Sequence, residues 1–218
     1  MEDVYIELYH VATPEEIAAS EGFLNEDSKT YRVYVDLVEG FSLQAVFGNK
    51  LHPLVVGTTS TFFNDMESGK RSADLLDTDR SESMLVGLDS WLSIGHADKE
   101  HIACPLFANK SGKVDGELPS LFSMLMDWTA TSHRNRTGFT VEDGTWFMLE
   151  GVKGVSEENM VLIAQLTTDG QLSFKLNLQI IGPDGTVYQF VANESDDDTI
   201  VHPALDSMTN LNSYLHNH

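Results

Sequence analysis

Two histidines, His96 and His101, flank Asp98 and Glu100, and imidazole with carboxylate is a donor set for a divalent ion. Their separation matches neither one helix face nor one strand face, so a solvated polar loop is the simpler reading. Oxygen-rich candidates for calcium are Asp74, Asp77 and Asp79, and the run Glu194-Ser195-Asp196-Asp197-Asp198. Neither carries the glycine and terminal glutamate of an EF-hand loop, and in an acidic chain such runs are ordinarily solvated. The closing His216-Asn217-His218 spells a nuclease motif in letters alone, because three terminal residues carry no such fold.

Nucleophilic chemistry finds no better footing. Ser156 has Gly154 before it but Glu158 after it, so the Gly-x-Ser-x-Gly elbow is missing. Gly112-Lys113 is followed by Val114, which lacks the hydroxyl a phosphate-cradling loop places on magnesium. With 34 acidic residues, the abundance of carboxylate pairs for sugar hydrolysis carries no information. Cys104, beside Pro105 in an apolar stretch, reads as a core filler rather than a nucleophile. No catalytic residue, cofactor site or metal site is assigned, and a non-enzymatic role is expected.

The tryptophans offer binding rather than catalysis. Trp91 follows Asp89-Ser90, Trp146 lies in Gly144-Thr145-Trp146-Phe147, and Trp128 closes an apolar run. Exposed, such rings stack on sugars or anchor a protein partner. Buried, they are sheet-core residues whose indole N–H finds a nearby acceptor, with Asp89 a candidate for Trp91. Burial is the favoured reading.

Charge narrows the partners. Against 34 acids stand 13 basic residues, a formal net charge of −21. Such a polyanion repels phosphate backbones, and His133-Arg134-Asn135-Arg136 is too small a basic patch to offset that. Neither nucleic acid nor an anionic membrane is an expected partner. Acidity of this degree keeps a protein soluble at high ionic strength or high local concentration, as in marine settings or virus particles. No window approaches the roughly 18 to 20 apolar residues of a membrane span. Met1-Glu2-Asp3 lacks a basic leader region, and Cys104 is the one cysteine, which together suit synthesis in a reducing cytoplasm. The Asn-x-Ser/Thr triplets at Asn109, Asn135 and Asn193 then read as chance matches.

The elements that would position these residues are mostly strands. Leu172 to Ile180 alternates apolar and polar residues, the pattern of a half-buried strand. Met160 to Gln165 is nearly all apolar, as in a strand covered on both faces. Asp169-Gly170 between them, and Pro183-Asp184-Gly185 before Thr186 to Val191, supply turns. Residues 160 to 192 are therefore expected to form a three-stranded meander. Further strands are expected at Val4 to Val11, Tyr31 to Leu37, Ser42 to Phe47, Leu54 to Phe63, Met84 to Ile94 and Thr145 to Leu149. Thr13-Pro14-Glu15-Glu16 is a helix cap with proline at the first helical position, starting a short helix that ends near Gly22.

Leu118 to Trp128 suits a short helix or a buried strand. In the tail, Ala204, Leu205, Met208, Leu211 and Leu215 recur at helical spacing behind Pro203. That segment is either a helix packed on the body or an arm held out to a neighbour. The fold expected is all-β with minor α: one antiparallel β-sandwich or jelly-roll-like domain over 1–194, with one or two short helices and a docking tail at 195–218.

A succession of motifs also resembles a known module. It runs through Tyr31-Arg-Val-Tyr-Val35, Leu43 to Gly48, Thr58-Thr-Ser-Thr-Phe-Phe-Asn64, Leu88-Asp-Ser-Trp-Leu-Ser-Ile-Gly95, Gly144-Thr-Trp-Phe147 and Val161 to Gly170. Over residues 30 to 182 this order resembles a β-rich module of marine bacterial, algal and marine bacteriophage proteins, marked by Asp-Ser-Trp-x-x-Ile-Gly and a later Leu-x-Thr-Thr-Asp-Gly. The module has no assigned activity, so the resemblance implies no catalytic residue. Bacterial members are secreted and multi-domain, and they carry an aromatic where this chain has Leu88. Those departures favour a standalone phage copy.

The resulting expectation is a viral structural protein, decorating a capsid or a tail appendage of a marine phage and located in the virion after synthesis in the host cytoplasm. Its partners would be other viral structural proteins and further copies of itself. Contact would run through Trp91, Trp128, Trp146, Leu205, Met208, Leu211 and Leu215. The alternative is a carbohydrate-binding or adhesion-type β-sandwich module using the tryptophans.

Overall fold

The computed structural model describes residues 1–65, 84–95, 106–109, 114–117, 137–154, 157–194, 196–207 and 215–216. In chain order the elements begin with β1 (Asp3–Val11), α1 (Pro14–Ala19), β2 (Lys29–Asp36), β3 (Ser42–Gly48), β4 (Leu54–Thr58) and β5 (Trp91–Gly95). They continue with β6 (Leu106–Asn109), β7 (Val114–Glu117), β8 (Gly138–Val141), β9 (Gly144–Val152) and β10 (Met160–Thr168). The last are β11 (Leu172–Lys175), β12 (Leu178–Ile181), β13 (Val187–Val191), β14 (Thr199–Val201) and β15 (Leu215–His216). The fold is all-β, as the alternating pattern predicts.

Three sheets share these strands. A five-stranded sheet runs β15-β1-β2-β10-β5, a three-stranded sheet β11-β4-β8, and a seven-stranded sheet β14-β13-β12-β3-β9-β6-β7. Pairing is antiparallel except at two edges, where β15 lies parallel to β1 and β14 parallel to β13. One apolar core joins all three sheets, with Val35, Leu43, Leu54, Val141, Leu178 and Ile180 among its buried members. This is a sandwich in which inward side chains of facing sheets interdigitate.

The strand covered on both faces is β10, where Val161 to Thr168 are all buried. One face meets the main core. On the other side Leu162 packs with Val86, Trp91 and Tyr34. Nearby, Leu24, Phe63 and Leu88 pack with Ile17 of α1 and Leu85. The helix stands where its cap predicts: Thr13 Oγ1 accepts from Glu16 N–H, and Glu16 Oε2 accepts from Thr13 N–H at 2.7 Å.

The expected meander is corrected. Strand β10 pairs with β2 and β5, β11 pairs with β4, and β12 pairs with β3 and β13, so consecutive strands enter three different sheets. Only the β12–β13 hairpin survives, closed by Gly182 N–H to Thr186 O at 2.8 Å with Gly185 at φ +82°. The alternation from Leu172 to Ile180 is unbroken, yet the ladder switches sheets at Leu176-Asn177. There Asn177 is buried, and its side chain donates to Phe47 O and His52 O and accepts from Ala192 N–H. Gly170 is not in the left-handed region. A Cβ there would sit 2.5 Å from both Ser60 N and Thr58 Oγ1, so the turn needs glycine for space.

Other boundaries shift. From Met84 the chain makes a turn and a 3-10 segment at Val86–Leu88 before β5 begins at Trp91. After Thr58 the expected strand gives way to loop, with one bridge from Phe62 to Thr168. In the tail, proline opens a 3-10 turn at Pro203–Leu205 rather than a longer helix. Ala204 and Leu205 lie in the main core, Leu176 N–H donates to Leu205 O, and Ser207 N–H donates to Phe174 O. Residues 196–207 are thus built into the body. Leu118 to Trp128, Cys104 and the His96–His101 loop lie outside the described residues, as do Asp74, Asp77 and Asp79.

Candidate functional site

Most polar residues of the Asp-Ser-Trp and Thr-Thr-Asp-Gly motifs are bound into the framework. Gln165, fully buried on β10, donates from its amide to Asp89 O at 2.9 Å and to Gly87 O at 3.2 Å, and accepts from Arg32 Nε. Ser90 Oγ accepts from Thr167 N–H at 2.9 Å, and Thr167 Oγ1 meets Thr30 Oγ1 at 2.7 Å. Thr168 Oγ1 meets Thr58 Oγ1 and also accepts from Gly170 N–H. Asp169 takes hydrogen bonds from Ser60 and Asn25, which hold its carboxyl below the usual carboxylate range. Asp89 Oδ1 accepts from Asp65 N–H. Some of these bonds tie loops to the five-stranded sheet, as at Gln165 and Ser90, and others join strands, as between Thr167 and Thr30. These motifs are a folding signature.

Trp91 and Trp146 follow the burial reading. Trp91 is 0% exposed and Trp146 1%, so neither ring presents a face to a sugar or a partner. Their role as interaction residues is corrected. Trp91 Nε1 does not reach Asp89, and neither indole N–H has a hydrogen-bond partner. Leu205 is equally withdrawn, at 0% exposed. Leu215 belongs to β15 beside Ile6 of β1, while Trp128, Met208 and Leu211 lie outside the described residues. Among the described residues no three His, Cys, Asp or Glu side chains gather as a metal ion requires. Among the same residues no helix is long and apolar enough to cross a membrane.

Ten large hydrophobics are exposed among the described residues; Ile200 (44%) and Val201 (43%) are consecutive on β14, and Val187 (51%) starts β13 outside the register it shares with β14. A second pair, Tyr9 and Val11, ends β1, but the Arg32 guanidinium lies 3.5 Å over the Tyr9 ring. Phe23, Leu51, Met84 and Leu149 are more exposed, and Ile200 and Val201 form an adjacent exposed pair on the outer strand of the seven-stranded sheet.

An acidic loop leads into this edge. Glu194, Asp196, Asp197 and Asp198 are all exposed. The loop is nonetheless fixed. Asp196 N–H donates to Thr199 Oγ1 at 2.9 Å, and Asp198 N–H donates to Asp196 Oδ1 at 3.2 Å. Bonds with Thr199 and the Asp198 N–H, with His52 beside it, hold the Asp196 carboxyl below its ordinary value. The His52 ring, buried under the loop, places Nε2 3.4 Å from Asp196 Oδ2, while its Nδ1 has no partner. Sequence reasoning missed His52 and Asn177. The one available signal was an asparagine in the polar phase of an alternating strand, which looks like any solvent-facing residue.

The opposite chemistry occurs at Asp36. It is buried where β1, β2 and β10 meet, with Oδ1 lacking any partner. Burial first, then the nearby Glu2, Asp3 and Glu158 charges, push its carboxyl above the usual range. Tyr34, on β2, is pushed up to about 12 by burial and by the Glu7 carboxylate that its hydroxyl donates to.

No family model, curated protein or solved structure matches the chain.

Proposed function

We propose that this protein works through its surface as a structural component of a virus particle, a β-sandwich decorating a capsid or tail appendage by protein–protein contact. The observation that carries this reading is a division of labour between inside and outside. Side chains of the motifs are tied into the framework, whereas two adjacent exposed apolar side chains, Ile200 and Val201, lie at the outer strand of a sheet. Concentrated apolar exposure on a soluble domain marks a place where another molecule sits. The strong negative charge suits a crowded particle surface, and the resemblance to a module found in marine phage proteins supplies the setting.

Carbohydrate recognition through Trp91 and Trp146 is not retained, because both rings are sealed in the core. The reading is tested by mass spectrometry of particles purified from the phage that encodes this chain. Stoichiometric recovery with the other structural proteins is expected. Absence from washed, infectious particles contradicts it.

A further inference from the structure

The seven-stranded sheet ends, among the described residues, on β14, whose outer side has no strand beside it. We propose that this edge receives an extended segment of a neighbouring protein, alternating apolar with Lys or Arg residues, as an added strand. The inference deepens the particle reading by naming the chemistry of the partner.

Backbone direction supports it. His202 N–H donates inward to Val191 O, and Ile200 pairs with Phe190. Because alternate residues of a strand direct their peptide groups to opposite sides, Val201 turns its N–H and C=O outward. Sheet edges are ordinarily blunted by lysine, proline or a bulge, since unpaired peptide groups invite another strand. Strand β14, Thr199-Ile200-Val201, is short, which limits pairing, but it has no lysine, proline or bulge, and both apolar side chains are exposed.

Charge selects the occupant. Glu194, Asp196, Asp197 and Asp198 stand exposed at the head of β14, and neither β13 nor β14 contains a basic residue. A second copy would bring its own acidic run and its −21 charge against this one, so self-pairing is opposed. A basic strand is drawn in; Ile200 and Val201 point to opposite faces of the sheet, and its apolar residues cover the one on their own face. The hydrogen bonds that fix the backbone of the acidic loop, with His52 beneath it, hold the Asp196 carboxylate in place before any partner arrives. Little ordering remains to oppose binding.

The test uses the full chain and three capped nine-residue peptides: alternating Lys and Val, alternating Glu and Val, and the Lys-Val peptide with every second amide N-methylated. Fluorescence anisotropy at physiological salt should show saturable binding of the Lys-Val peptide alone. Val201→Pro removes the outward N–H at a position where an edge strand tolerates proline, and should weaken that binding by about tenfold or more. Asp197→Asn with Asp198→Asn should weaken it and flatten its salt dependence. Absence of binding overturns the proposal. So does equal binding of the N-methylated peptide, or undiminished binding to V201P, since either means charge attraction without strand addition. If the chain is present in particles but the peptides fail, the edge inference falls and the particle reading stands. If the peptides bind but particles lack the chain, the reverse holds.

Discussion

Gln165, in a nearly all-apolar strand, and Gln179, in an alternating one, are the same residue type and do opposite work. Gln165 holds two loop carbonyls in the interior, whereas Gln179 lies on the outward side of β12 in contact with Gln44 and Gln189. Gln165→Leu removes the buried amide that donates to Gly87 O and Asp89 O and is expected to destabilise by about 2–4 kcal/mol. Gln179→Ala should change stability by less than about 0.5 kcal/mol. Urea titration of both variants checks the contrast. Asp36 makes a prediction of opposite sign. Its folded pKa is raised, so its contribution is favourable below the unfolded value and is lost as pH rises through the folded value. Asp36→Asn should therefore melt higher than the parent at neutral pH, and the difference should vanish once both carboxyl states are protonated. Thermal melts across acid to neutral pH read this directly. None of these distinctions is legible in sequence. A polar letter in a strand says which phase it occupies, and a loop folding over the sheet then decides whether that phase meets water.

At the scale of elements, local signals carried well and long-range ones did not. Helix α1 followed from Thr13, Pro14 and Glu16, and the β12–β13 hairpin from Pro183-Asp184-Gly185, because each depends on residues within one turn. The neighbours of β10 and β11 could not follow, because alternation specifies a buried face without naming the strand alongside. Two element-level predictions test the packing. Thr13→Ala removes the cap of a six-residue helix and should cost about 1 kcal/mol, loosening Ile17 from the cluster with Phe63 and Leu88. Gly48→Ala drives a methyl into the Val141 carbonyl where β3 passes β8, and should destabilise by about 1–3 kcal/mol through overpacking. Denaturant midpoints report both. A Gly48→Ala protein as stable as the parent would mean that β3 and β8 do not approach so closely.

For the whole molecule, the sequence made the fold class, the acidity and the common core legible. It did not reveal which segments lie at a sheet edge, since an edge is a property of the finished sheet. The tail illustrates this: apolar spacing suggested either a helix packed on the body or an arm held out to a neighbour, and Leu205 is core in a 3-10 turn while Ile200 and Val201 lie at an edge. The central claim is that this protein acts by what it presents along β13 and β14, with its motif residues serving the framework. Amide hydrogen exchange, comparing the free chain with the chain assembled on its particle, tests that most directly. Protection gained at Val187 to Val201, with exchange around Asp89, Ser90 and Gln165 slow and unchanged in both states, is the predicted result. Protection gained around Asp89 and Ser90, with the β13–β14 edge unaltered, would contradict it.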